Sequence, residues 1–134
     1  WKDVDFKSNT LTVRQQWKLY DKTHYGFGTL KTENSYRTIP LPPRTRDALQ
    51  QYKKVWRFNA DGRVVAYCGC GYANALFRDK LKGTKLKITP HDLRHTYATS
   101  LIRAGLDFKS VAKLLGHRVE VTMSTYSHVV NFII

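Results

Sequence analysis

Apolar positions change their spacing from the front of the chain to the back. Trp1, Val4 and Phe6 fall on the apolar side of a short extended segment, and Ser8-Asn9 marks a turn. Residues 10–17 alternate apolar and polar positions, with Leu11 and Val13 on one face, which predicts a strand. Residues 21–28 are polar and glycine-rich and read as a loop. Residues 36–41 predict a second strand closed by proline. The two strands are expected to pair, with residues 29–35 as the returning arm or hairpin tip and Lys31 in that tip.

Beyond residue 42 the period becomes helical. Pro42-Pro43 suits a first helical turn, and Ala48, Leu49, Tyr52, Val55 and Trp56 follow as an apolar stripe that Asn59-Ala-Asp-Gly62 ends. Residues 64–67 read as a short buried strand or extended segment. Residues 72–81 predict a short helix with Leu76, Phe77 and Leu81 inward, and Lys80, Lys82, Lys85 and Lys87 mark an exposed basic linker. The next helix has a strong start signal: Thr89 as cap, Pro90 in the first position and Asp92 where a capping-box acid belongs. Its expected buried side is Leu93, Tyr97, Leu101 and Ile102, and Gly105 stops it. Asp107 caps a further helix with Val111, Leu114 and Leu115 inward, and Gly116 is its end signal. Residues 122–130 predict one more short helix, carrying Tyr126. The class expected is α+β, mainly helical: a small antiparallel β-sheet or hairpin near the N-terminus, packed on a helical bundle.

Charge narrows the partner. The 134 residues suit one domain with one core, and an apolar fraction of 42% favours a packed globule. Lys and Arg number 23 against 10 acidic residues, a net charge of +13, which points to a polyanion. No apolar run approaches the length of a spanning helix, and no signal or lipidation motif is visible, so nucleic acid is favoured over a membrane. The cations are spread along the chain, which implies a basic folded face rather than a basic tail. Cys68 and Cys70 have no second pair for zinc and sit too close in sequence for a good disulfide. They read as reduced thiols.

The segment from Thr89 to Tyr126 carries the candidate chemistry. His91 and Arg94, at i and i+3, share a face near a helix N-terminus, where backbone N–H groups and the dipole already favour an anion. A guanidinium fork adds bidentate recognition of phosphate oxygens. His117 follows the helix-ending Gly116, where a sharp turn projects its imidazole. Tyr126 carries a phenol, a poor nucleophile at an ordinary pKa of about 10. Arg and His donors around it would favour the phenolate and stabilise a pentacoordinate phosphorus transition state. No acidic cluster suggests a catalytic metal, so no metal or other cofactor is expected. His95 lies about 100° from Arg94 around the helix and reads as structural, packing or capping near the helix start. Tyr97 reads as a packed aromatic, and His128 leaves a supporting hydrogen bond and a surface role both open.

Taken in order, Thr89-Pro-His-Asp-Leu-Arg-His-Thr-Tyr-Ala-Thr, Leu114-Leu-Gly-His117 and Thr122-Met-Ser-Thr-Tyr126-Ser-His128 resemble the catalytic domain of the tyrosine recombinases, the phage integrase family. Trp1-Lys-Asp-Val-Asp-Phe6 and Lys31-Thr-Glu-Asn-Ser-Tyr-Arg-Thr-Ile-Pro-Leu41 agree with the same pattern. The resemblance implies site-specific recombination or integration of double-stranded DNA through a 3′-phosphotyrosine intermediate. It implies Tyr126 as nucleophile, Arg94 on the non-bridging oxygens and His91 positioning or deprotonating the tyrosine. It further implies His117 as a donor to the phosphate and Lys31 as general acid on the leaving 5′-oxygen. It also implies four protomers on DNA, compatibility with a DNA-bending accessory protein, and action in the cytoplasm of a bacterial cell or phage-infected host.

The family's first catalytic arginine precedes the Trp-x-Asp segment, which here is the chain's start, so a partial catalytic domain over 1–134 is expected. The core-binding domain and the helix of that arginine are expected to be missing, and the chain alone is expected to be inactive or very weak in cleavage and rejoining. Other classes compatible with the residues are a non-catalytic DNA-binding module, with residues 107–126 resembling a helix-turn-helix, and a type IB topoisomerase-like activity. A metal-dependent nuclease is a fourth.

Overall fold

The computed structural model describes residues 1–66 and 70–130. Tyr67, Cys68, the Cys70 side chain and residues 131–134 lie outside the described residues, and with them the reading of the two thiols. Among the described residues five strands precede five α-helices: β1 Val4–Asp5, β2 Thr10–Val13, β3 Gln16–Leu19, β4 Tyr25–Gly28 and β5 Arg37–Pro40, then α1 Pro43–Val55, α2 Cys70–Lys80, α3 Pro90–Arg103, α4 Phe108–Leu115 and α5 Val119–Val130. The chain is thus α+β and mainly helical, with its small antiparallel sheets ahead of the helices. No helix among the described residues is long and apolar enough to cross a membrane.

β1, β2 and β5 form one antiparallel sheet in that order, with Leu11 opposite both Val4 and Ile39. The expected pairing of the first strand with residues 36–41 is therefore present. Two expectations around it are corrected. Residues 10–17 are not one strand: the ladder breaks at Arg14-Gln15, where Arg14 leaves to pair with Asp3 at 2.5 Å, and β3 starts a second, two-stranded sheet. Residues 21–28 are not all loop, because Tyr25–Gly28 is the returning strand of that second sheet, with Trp17 opposite Phe27 and their rings edge-to-face at 5.0 Å. The glycine content has a packing cause. A Cβ on Gly28 would meet the Lys18 stem at 2.5 Å and the Tyr20 hydroxyl at 2.7 Å, so this glycine clears space for side chains lying across the strand. Lys31 consequently lies between β4 and a 3-10 turn at Glu33–Ser35, not at the tip of a hairpin between β2 and β5.

The core belongs to the last three helices. Ala98 and Ile102 of α3, Val111 and Leu115 of α4, and Tyr126 and Val129 of α5 form one buried cluster, with Leu101, Leu106 and Phe108 against it. The inward face of α3 is thus Ala98 and Ile102. Leu93 and Tyr97, expected inside, are 47% and 45% exposed because α4 and α5 cover only one side of this helix. The α1 stripe also fails to bury. Val55 is 73% exposed, the Tyr52 and Trp56 rings meet Trp1 at 6.1 and 5.9 Å, and Trp56 also meets the exposed Phe58 at 6.2 Å. Residues 64–66 form no strand, and Val65 is exposed. α5 starts at Val119, three residues before its predicted start.

The start of α3 follows its sequence signal closely. Thr89 Oγ1 accepts from the Asp92 N–H at 3.2 Å, and an Asp92 carboxylate oxygen accepts from the Thr89 N–H at 2.8 Å, a reciprocal capping box. Two of the helix's orphan donors are satisfied this way. Thr89→Ala is expected to lower stability by about 1 kcal/mol, read as an earlier urea midpoint with an unchanged slope; a midpoint at the wild-type value would contradict the cap's contribution.

Candidate active site

Three elements converge on the carbonyl end of α4. Gly116, at φ 73°, closes that helix in the left-handed conformation, and the N–H groups of Gly116 and His117 both return to the Ala112 carbonyl. This leaves the Leu114 and Leu115 carbonyls turned outward at the negative end of the helix dipole. Two guanidinium groups take them. Arg37 of β5 donates from Nε to the Leu114 carbonyl at 3.0 Å and from Nη1 to the Ser35 carbonyl at 2.8 Å. Arg94 of α3 donates from Nη2 to the Leu115 carbonyl and to His117 Nε2, the latter at 3.0 Å. A Cβ on Gly116 would stand 2.7 Å from Arg37 Nη1 and 3.1 Å from the Asn34 carbonyl, so both φ and the close arginine require glycine here.

The electrostatics follow from two cations packed side by side. Burial, and then the charge of Arg94, hold the Arg37 guanidinium below its usual range. His117 is held below the usual 6.5 by burial first, then by Arg94, Arg37, His91 and His95. Its Nε2 accepts from Arg94, which puts the ring proton of the neutral form on Nδ1, an atom buried without a described partner. The Asp92 carboxyl is held low by the Thr89 hydroxyl and N–H, so it keeps a negative charge beside the His91–His95 pair.

Tyr126 enters from α5, its ring inside the core and the residue only 2% exposed. Its hydroxyl lies 2.7 Å from His95 Nδ1. This corrects the reading of His95 as packing or capping: the face that turns away from Arg94 is the one that α5 meets. His91 is exposed and stands edge-on to the His95 ring at 4.5 Å. Burial raises the Tyr126 hydroxyl above its usual 10, and the charge of Arg94 offsets part of that. The expected bias toward phenolate is therefore reversed in this state.

Tyr126, His91, Arg94 and His117 of the sequence-derived set are thus brought into one cluster, with His95 added. Lys31 is exposed on the connection ahead of the 3-10 turn, and among the described residues no hydrogen bond or ion pair joins it to the cluster. Arg37 ties the end of that connection to α4, a role its place on a strand did not signal. An open cleft of about 650 Å³ adjoins the start of α3, lined by Thr89, Pro90, His91 and Arg94 on one side and Asn74 and Arg78 of α2 on the other. Among the described residues, no group of three or more His, Cys, Asp or Glu is placed to hold a metal ion. His128 is exposed.

The ordered set of α3 cluster, glycine-histidine turn and α5 tyrosine is matched by a family model: that of the phage integrase family aligns with residues 1–131. The chain belongs to the phage integrase family. One relative, a XerC-like tyrosine recombinase of Caldanaerobacter subterraneus subsp. tengcongensis, is 29% identical over 97% of this chain and 40% of that protein. Another, the Tn916 transposase of Enterococcus faecalis, is 26% identical over 94% of this chain and 36% of that protein. The Tn1549 transposon integrase, solved in complex with transposon right end DNA, superposes with a TM-score of 0.72 at 25% identity, covering 93% of this chain and 46% of that one. This phage integrase family chain therefore spans about 40% of the length of the curated relatives it matches.

The position of His117 sets a pH dependence. In the folded state its proton is disfavoured, whereas the unfolded chain takes one up near the ordinary value. The unfolded state then binds more protons, and stability falls as pH drops below about 6.5 toward the folded value. In Tm measured across pH 5 to 8, His117→Gln is expected to flatten this fall while keeping an acceptor for Arg94; an equally steep fall would place its cause elsewhere.

Proposed function

We propose that residues 1–134 act as the catalytic domain of a tyrosine recombinase, cleaving and rejoining double-stranded DNA through a 3′-phosphotyrosine link. The observation that carries this reading is the meeting of the Tyr126 hydroxyl, the His91–His95 pair, Arg94 and His117 at one end of the α3–α4–α5 core. The family membership and the DNA held by the Tn1549 integrase support it, as does the net charge of +13. In the reaction Tyr126 Oη attacks the scissile phosphorus and the bond to the 5′-oxygen breaks. Arg94 takes the non-bridging oxygens, at the cleft it shares with His91. His117 keeps Arg94 in place at rest and, once Arg94 turns to the substrate and the ring proton sits on Nε2, adds a donor to the phosphate, and Lys31 gives its proton to the leaving 5′-oxygen. The ester energy is kept in the phosphotyrosine, so rejoining runs the same steps in reverse without a nucleotide or metal. Because the Tyr126 ring is packed in the core, DNA binding must draw α5 outward or admit the phosphate beside His95. Four protomers on one DNA synapse, aided where needed by a DNA-bending protein in the cytoplasm of a bacterial or phage-infected cell, complete the proposal.

A duplex library with randomised positions before a terminal 3′-p-nitrophenyl phosphate tests the chain directly. Its leaving group needs no acid, so attack requires only the nucleophile and the phosphate clamp. The chain is expected to release p-nitrophenolate and to carry a phosphotyrosyl oligonucleotide that mass spectrometry maps to Tyr126. Tyr126→Phe is expected to lose the adduct and keep DNA binding, and Arg94→Ala to form it at least about 10²-fold more slowly. DNA binding by the wild-type chain with no adduct would favour a non-catalytic module, and an adduct at another residue would overturn the assignment of Tyr126.

A further inference from the structure

Resting on the nucleophile reading above, we propose that His95 is the group that takes the Tyr126 proton during cleavage and returns it during rejoining. The hydroxyl has one described hydrogen-bond partner, His95 Nδ1 at 2.7 Å. The two rings are tilted by 55° with centroids 5.6 Å apart, which leaves the hydroxyl at the ring edge where the Nδ1 lone pair lies. His91, the residue that the family pattern would point to, stands one ring further out, edge-on to His95 at 4.5 Å and exposed beside the cleft. The order from core to surface is therefore Tyr126, His95, His91.

The surroundings suit transient protonation of His95. From its own helix it faces His91 and the Asp92 carboxylate; from α5 it faces Tyr126; from the turn after α4 it faces His117. Asp92 stays ionised through its capping contacts with Thr89, so an imidazolium at His95 would form one helical turn from a fixed negative charge. The Arg94 charge, which reaches Tyr126, opposes that imidazolium, and a phosphate bound by Arg94 would cancel the opposition. Proton transfer is thereby favoured when substrate is present and disfavoured when it is not. The step balances: Tyr126 Oη–H breaks and its proton moves to His95 Nδ1, Oη–P forms, and P–O5′ breaks with the electron pair leaving on the 5′-oxygen. The reverse attack of the 5′-oxygen draws the same proton back to Oη.

Two measurements test this. The first reads the resting chain by ¹⁵N–¹H correlation across the imidazoles. A proton acceptor must present an unprotonated Nδ1, so His95 is expected as the Nε2–H tautomer, with an Nδ1 shift that moves in Tyr126→Phe. A protonated Nδ1 donating to the tyrosine oxygen would overturn the proposal. The second uses the p-nitrophenyl phosphate library, in which the tyrosine proton is the only one to be moved. His95→Asn keeps a hydrogen-bonding group near the Nδ1 position but takes no proton near neutral pH. It is expected to fold, by circular dichroism and melting, to form the adduct about 10²-fold more slowly or worse, and to lose the rise in rate with pH that a histidine base gives. Wild-type rate and pH profile in a folded His95→Asn chain, with Tyr126→Phe inactive, would remove His95 from the proton transfer and leave the nucleophile intact. A faster His95→Asn chain would make the contact a restraint on Tyr126, which also overturns the proposal. An adduct retained by Tyr126→Phe would instead sink the nucleophile reading itself.

Discussion

The carbonyl end of α4 depends on two guanidinium groups, and the rest of the site depends on that end. A helix terminus with outward carbonyls beside a core needs donors. Arg37 reaches it from the sheet and Arg94 from α3. Each contact is a charge-assisted hydrogen bond of roughly 1.5–3 kcal/mol when partly buried. Together they fix three chain segments that share no local sequence contact: the connection carrying Lys31, the start of α3 and the Gly116 turn. His117 is then oriented by Arg94, and α5 leaves the turn in the direction that seats Tyr126 in the core.

The same packing sets opposite demands on the cluster. Two neighbouring cations favour an incoming phosphate, and burial, joined by the charge of Arg94, lowers the proton affinity of His117 and of Arg37. Tyr126 is kept protonated by its burial, with Arg94 as the opposing influence. The resting chain thus holds Tyr126 protonated beside two cations, as the proposed roles require. On the proposed reading a bound phosphodiester would change both: its negative charge would relieve the repulsion between the arginines, and its approach to Tyr126 would open the core edge at α5 or enter beside His95.

Much of the back half was legible in the sequence because local chemistry and tertiary packing agree there. Thr89, Pro90 and Asp92 announce the α3 start, Asp107 and Gly116 bracket α4, and the order of His91, Arg94, His117 and Tyr126 carries the family pattern. The front half was less legible because glycine has two uses. Gly26 and Gly28 read as loop residues, yet they sit in β4, where Gly28 makes room for Lys18 and Tyr20. The α1 stripe promised a buried face, but no residue of that helix is buried, and the rings that meet the stripe are Trp1 and the exposed Phe58. His95 was misread for a different reason. Its angle from Arg94 on the helix was right, but only the placement of α5 shows that Tyr126 comes from that other direction. Arg37 likewise gains meaning only when β5 is set against the end of α4.

The claim that these residues form one phosphate-transfer site is tested most directly by a structure of the chain with orthovanadate and a nicked duplex, a mimic of the pentacoordinate transition state. Vanadium bonded to Tyr126 Oη is expected, with Arg94 and His117 within hydrogen-bond distance of its equatorial oxygens and Lys31 toward the 5′-oxygen. Vanadate bound without a bond to Tyr126 Oη, or held by residues away from the end of α4, would contradict it.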